Sequence, residues 1–81
     1  MKAQVFITLK EEVLDPQGSA IVGSLKSLGF DEVVDARVGK MIELTLPCHP
    51  ERSVTERRIQ SMCDKLLANS VIENYRIELI S

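Results

Sequence analysis

The residues best suited to chemistry in this chain are Cys48 and His49, adjacent in sequence, and His49 is the only histidine. A thiol beside an imidazole can attack acyl groups when the imidazole takes the thiol proton and a third group holds the ring. Here the pair lies between Pro47 and Pro50, in a stretch that neither helix nor strand can run through. Neighbours on so short a loop seldom point at each other, and no surrounding motif frames them. With Cys63 the pair offers three metal ligands, but not at the spacing of a zinc site, which takes about four. Carboxylates occur as neighbours at Glu11-Glu12 and Asp31-Glu32. Paired-acid catalysis needs a cleft and shifted pKa values, whereas adjacent acids at element ends are ordinarily solvated. Gly18, Gly23, Gly29 and Gly39 form neither G-x-G-x-x-G nor a P-loop. Arg52, Arg57 and Arg58 cluster where a helix begins, against the helix dipole, which suits an acidic partner or plain solvent. The residue types therefore predict no catalytic, cofactor or metal site in this chain.

Size and composition narrow the classes further. Eighty-one residues make one domain, 1–81. A chain this small buries only roughly 60–65% of its unfolded surface, so association with other chains would add to a modest core. The hydrophobic fraction is 44% and the net charge −2, with acids and bases mixed along the chain. A nucleic-acid surface needs a basic face that displaces counterions, so no nucleic acid is expected. No apolar run approaches the roughly 20 residues that cross a bilayer, so no membrane partner is expected. The N-terminus enters a strand pattern directly, without a signal-peptide core and cleavage site, and a cytoplasmic location follows as the expectation. Cys48 and Cys63 are read as free thiols of a reducing compartment.

The elements are set by apolar periodicity. Val5, Ile7 and Leu9 alternate with Phe6, Thr8 and Lys10, a period-two strand. A first helix is predicted over 16–28, with Ile21, Leu25 and Leu28 on one stripe flanked by Val22. Gly18 and Gly23 within it suit close backbone packing. Gly29 ends the helix where positive φ is usual, and Phe30 can pack back on the last turn. Two strands are expected at 33–38 and 41–46, with Val34, Ala36 and Val38 on one face of the first and Ile42, Leu44 and Leu46 on one face of the second. Gly39-Lys40 between them reads as a hairpin turn. A second helix opens on Ser53-Val54-Thr55-Glu56, a capping box. It carries Ile59, Met62, Cys63, Leu66 and Leu67 inward and Arg57, Ser61, Asp64 and Ala68 outward, and Asn69 can close it. A last strand presents Tyr75, Ile77 and Leu79 together. The order β-α-β-β-α-β predicts an α+β fold of two layers, an antiparallel sheet with both helices on one face, ferredoxin-like.

One string joins the first strand to the first helix: Val13-Leu14-Asp15-Pro16-Gln17-Gly18. Asp15 can cap the helix, and Pro16 fits its first position. The string resembles the V-L-D-P-Q-G signature of the PurS family, the small subunit of phosphoribosylformylglycinamidine synthase. Leu28-Gly29-Phe30, Arg37-Val38-Gly39-Lys40, Cys63 to Asn69 and Val71 to Ile77 extend the resemblance in order. Pro47-Cys48-His49-Pro50 matches least. The resemblance implies a non-catalytic subunit that joins a large synthetase subunit to a glutaminase subunit, itself as a homodimer or higher. The complex converts formylglycinamide ribonucleotide to formylglycinamidine ribonucleotide with glutamine and ATP, in purine biosynthesis. ATP and magnesium are then expected in the synthetase partner, and a cysteine–histidine–glutamate triad in the glutaminase. An ACT-like small-molecule-binding regulatory domain shares the element order and is the alternative, although fold order alone is weak evidence for function. An RNA-binding module would need stacking aromatics on its central strands, and residues 41–46 have none.

Gln17, Arg37 and Lys40, in the signature turns, have no evident local role. They are assigned to contact a partner subunit or a neighbouring protomer, since exposed turn residues often serve binding. The sheet face away from the helices would present Phe6, Thr8, Asp35, Arg37, Met41, Glu43, Thr45 and Arg76, a polar surface holding two large apolar side chains.

Overall fold

The first strand is the centre of the molecule because it alone is paired on both sides. In the computed structural model, which describes residues 1–80, β1 (Lys2–Leu9) is followed by α1 (Pro16–Ser27), β2 (Gly39–Thr45), α2 (Arg52–Met62), a π-turn (Cys63–Leu67) and β3 (Glu73–Ile80). The sheet is antiparallel with order β2-β1-β3. Ala3, Val5 and Ile7 are fully buried, against Ile59, Cys63 and Ala68. Val5, Ile7 and Ile59 each contribute about 1.5–3 kcal/mol by leaving water. Ile42, Leu44, Tyr75, Ile77 and Leu79 pack around them from the flanking strands. This is the α+β antiparallel class the periodicity predicts.

Two expectations fail, and one cause explains both. Residues 33–38 do not pair as a strand, and no hairpin forms at Gly39-Lys40. The chain between α1 and β2 is instead fastened to the start of α1. Asp15 caps α1 by accepting the Gly18 amide at 2.9 Å, and its other oxygen accepts the Val38 amide at 2.7 Å. A Cβ at Gly18 would overlap the Ala36 carbonyl, so that glycine is required by close approach. Held in this way, 33–38 leads into β2 without pairing back on it. Gly39 has no positive φ; only Gly29 does, at 98°. Gly39 is small because a Cβ there would lie 2.6 Å from the Ile7 carbonyl. The second consequence is that α1 does not pack on the sheet beside α2. Ile21 is 43% and Leu28 73% exposed, and the molecule is long and thin, 51 × 26 × 14 Å. Gly23 likewise meets nothing within 4 Å, so it serves no close packing within the chain.

The second helix departs in detail. It begins two residues early, at Arg52, with Glu51 rather than Ser53 at the cap position and no side-chain cap bond, so the Ser53–Glu56 box is not formed. At its end the Ala68 amide bonds the Cys63 carbonyl at 3.0 Å, five residues back. That wider turn takes in an extra residue and shifts the inward face. Ala68, expected outside, is buried, and Leu66, expected inside, is 84% exposed.

The sheet's two rims differ. The Leu46 amide donates to the Met1 carbonyl and the Met1 ammonium to the Leu46 carbonyl, both at 2.9 Å. By antiparallel alternation, odd residues of β1 then bond β2 and even residues bond β3, in agreement with the Lys10 amide on Ile72 O at 2.9 Å. The outward backbone groups are therefore those of Gly39, Met41, Glu43 and Thr45 on β2, and of Glu73, Tyr75, Ile77 and Leu79 on β3. On the β3 rim, the Glu73 amide donates to Asn69 O at 2.7 Å and Arg52 donates to Leu79 O at 2.9 Å. On the β2 rim, no outward group has a partner among the described residues.

Candidate functional site

The two signature turns meet where the ends of all three strands gather. β1 ends at Leu9, β2 begins at Gly39, and β3 begins at Glu73, so their polar neighbours converge on one end of the sheet. Gln17, from the first turn of α1, faces Lys40 of β2 across a cleft of about 230 Å³. Ile7, Leu9 and Val38 line it, with Glu73 on its far side. Lys40 Nζ lies 3.8 Å from Glu73 Oε2, and Glu73 Oε1 accepts the Asn69 amide at 2.7 Å. Sequence reasoning misses Glu73, whose only signal is its place in the Val71 to Ile77 block.

Of the three residues assigned to a partner, the structure brings Gln17 and Lys40 together in this cleft, and Lys40 has a local partner in Glu73. Arg37 has a local role that sequence does not show. Its guanidinium donates to the Lys10 carbonyl at 2.8 Å and the Val13 carbonyl at 3.2 Å, clasping the loop that leads to Asp15. Asp15 itself is held below its ordinary pKa of 3.8. The Val38 amide is the largest cause, the Gly18 amide the next, and Arg37 adds a smaller attraction.

A neighbouring cavity of about 410 Å³ shares Glu73 and takes in Lys10, Asp64 and Tyr75. The Tyr75 hydroxyl donates to Asp64 Oδ1 at 3.2 Å. Loss of water, and then this bond, raise the Tyr75 pKa above 10, so the hydroxyl stays protonated and remains a donor. At the opposite end of the sheet, Cys48 Sγ lies 3.7 Å from the Met1 ammonium, while His49 Nδ1 accepts the Glu51 amide at 3.0 Å. The thiol and imidazole make no hydrogen bond to each other. Cys63 is a free, fully buried thiol whose pKa is raised by burial. Among the described residues no three His, Cys, Asp or Glu side chains converge as metal ligands, and no helix is long and apolar enough to cross a membrane.

Residues 2–81 match the family model for PurS, phosphoribosylformylglycinamidine (FGAM) synthase. The chain belongs to the PurS family. The PurS subunit of phosphoribosylformylglycinamidine synthase from Bacillus subtilis is 49% identical over 96% of this chain and 90% of its own. Its counterpart from Synechocystis is 46% identical over 94% of this chain and 75% of its own. The Bacillus subtilis PurS crystal structure superposes with a TM-score of 0.82 at 48% identity, covering 95% of this chain and 94% of that one. A chain of the Thermotoga maritima PurLQS structure gives a TM-score of 0.85 at 26% identity, covering 95% of this chain and 93% of that one. PurS membership, rather than an ACT-type domain, accounts for the signature turns, and both turns lie at the cleft described above.

Proposed function

We propose that this chain is a non-catalytic subunit of a phosphoribosylformylglycinamidine synthase. Self-associated, it seats a synthetase subunit against a glutaminase subunit in purine biosynthesis. The observation that carries the reading is the 49% identity to a PurS subunit across nearly the full length of both chains. The similarity to a chain of the PurLQS structure supports an assembly role. Glutamine hydrolysis and ATP-driven amide activation belong to the partners, with ATP and magnesium held by the synthetase. This chain's contribution is geometric, keeping a nitrogen source beside its acceptor. Gln17 and Lys40 at the cleft rim are the side chains assigned to a partner, and Arg37 supports them by fixing the loop beneath.

Reconstitution tests this. The synthetase and glutaminase subunits are mixed with and without the chain, and product formation is followed with glutamine or with ammonia as nitrogen source. The expected result is glutamine-dependent synthesis only when all three chains are present, with ammonia-dependent synthesis by the synthetase retained without this one. Full glutamine-dependent synthesis in its absence, or turnover of ATP or glutamine by this chain alone, would overturn the proposal.

A further inference from the structure

The π-turn that ends the second helix leaves a void beside it. Leu66 points outward, 84% exposed, and Ala68 takes the inward place. A leucine left in water forgoes the hydrophobic gain of burial, so packing alone does not favour this ending. The space beside Ala68 belongs to the cavity of about 410 Å³ that reaches Tyr75 and Glu73, a size within the range of small-molecule sites. Wide turns set into helices occur frequently at functional sites.

The polar groups around this cavity divide into those already used and those left over. Both oxygens of Glu73 are used, Oε1 by the Asn69 amide at 2.7 Å and Oε2 by Lys40 Nζ at 3.8 Å. The Tyr75 hydroxyl donates to Asp64 Oδ1 at 3.2 Å, which leaves its oxygen free to accept. One cation and one anion remain. Lys10 and Asp64 line the same cavity, yet neither forms an ion pair with the other or with any other described residue. Ser70 and Asn74 add an exposed hydroxyl and carboxamide. Two opposite charges that share a cavity without meeting are the complement of a molecule that carries both. An anion such as phosphate would face Asp64 and Glu73, and a diamine would face Lys10, and like charges brought together are costly.

We propose that this cavity binds a free α-amino acid with a polar side chain. Lys10 takes the α-carboxylate, Asp64 Oδ2 and the Tyr75 oxygen accept from the α-ammonium, and Ser70 and Asn74 meet a side-chain amide or hydroxyl. The contacts to the two charged groups are charge-assisted hydrogen bonds, the stronger kind. A residue inside a chain does not fit, because its peptide bonds remove both charges. The site goes beyond the assembly role proposed above and does not depend on it, since none of these residues is assigned to a partner.

The test titrates the full-length 15N-labelled chain with glutamine and two truncated forms of it. Glutaramate lacks the α-amine, and 4-aminobutanamide lacks the α-carboxylate. Glutamine is expected to shift the amides of Asp64, Ser70 and Asn74 to saturation. Each truncated form should bind about tenfold more weakly, the scale of one charge-assisted hydrogen bond. Lys10→Gln should abolish the advantage of glutamine over 4-aminobutanamide, and Asp64→Asn its advantage over glutaramate. If either variant does not fold, the three ligands on wild type still decide. Shifts that do not saturate, or truncated forms that bind as tightly as glutamine, would overturn the proposal. So would folded variants that rank the three ligands as wild type does, and leucine binding as tightly as glutamine would overturn the polar side-chain class. If reconstitution fails but the shifts saturate, only the assembly role fails. If reconstitution succeeds but the shifts do not saturate, only this site fails.

Discussion

Asp15 and Val38 stand 23 residues apart, yet the Asp15 carboxylate accepts the Val38 amide at 2.7 Å while capping α1 through Gly18 at 2.9 Å. One side chain thus starts a helix and fixes the path of the chain that follows it. Asp15→Ala removes both bonds and should lower Tm by roughly 5–10 °C, the scale on which a lost helix cap acts in a domain of this size. Asp15→Asn keeps an acceptor for one amide and should fall between the two, which thermal melts at neutral pH will rank.

The same carboxylate makes a pH prediction with a definite sign. Its folded pKa lies below 3.8, so it contributes stability above the unfolded pKa, and that contribution is lost as pH falls through the folded value. Urea midpoints followed from about pH 5 to about pH 2.5 should decline more in wild type than in Asp15→Asn. Parallel curves for the two proteins would contradict the bonding described.

Three glycines should separate cleanly. Gly18→Ala forces a methyl onto the Ala36 carbonyl, and Gly39→Ala forces one toward Ile7 O; each should destabilise by about 1–3 kcal/mol. Gly23 lies in α1 with nothing within 4 Å, and in a single copy Gly23→Ala should stabilise by about 0.5–1 kcal/mol. Denaturant titration of the three variants is the check.

At the cleft, Gln17→Ala and Lys40→Ala should each change stability by about 0.5 kcal/mol or less. Arg37→Ala should cost about 1 kcal/mol, since the Val13 carbonyl loses its donor and the Lys10 carbonyl keeps only the Val13 amide. All three should raise the concentration of this subunit needed to saturate glutamine-dependent synthesis by the other two. Saturation at the wild-type concentration in every case would remove the partner role from these residues.

The two cysteines are expected to differ. Cys48 is exposed, and Cys48→Ser or His49→Ala should leave both stability and reconstituted synthesis nearly unchanged. Cys63 is fully buried beside Ile59, and Cys63→Ser places a hydroxyl in the core at a cost of about 1–3 kcal/mol. A large activity loss in folded Cys48→Ser would assign chemistry to the Pro47–Pro50 loop.

Much of the fold was legible because it is local. The alternation of Val5 and Ile7, and of Tyr75, Ile77 and Leu79, states which face of a strand is apolar wherever that strand is placed. Asp15-Pro16 marks a helix start and Gly29 its end, since a cap and a positive φ are properties of neighbouring residues. The cleft was legible only in part. Gln17 and Lys40 stood out as residues with no local role, but the Lys40 pairing with Glu73 joins positions that sequence spacing does not relate.

What the sequence determined by itself was two helices and three of the four strands its periodicity predicts, the apolar faces of those strands, and family membership through the ordered signature blocks. The tertiary structure decided where competing groups went. The Val38 amide could have joined a hairpin, and it bonds Asp15 instead, so 33–38 leaves its own sheet. Gly39 could have served a turn, and it serves the close approach of Ile7. The last turn of the second helix could have stayed α-helical, and its π-turn carries Ala68 inward and Leu66 out. Each outcome depends on which of two distant partners wins one backbone group, and periodicity along the chain carries no record of that competition.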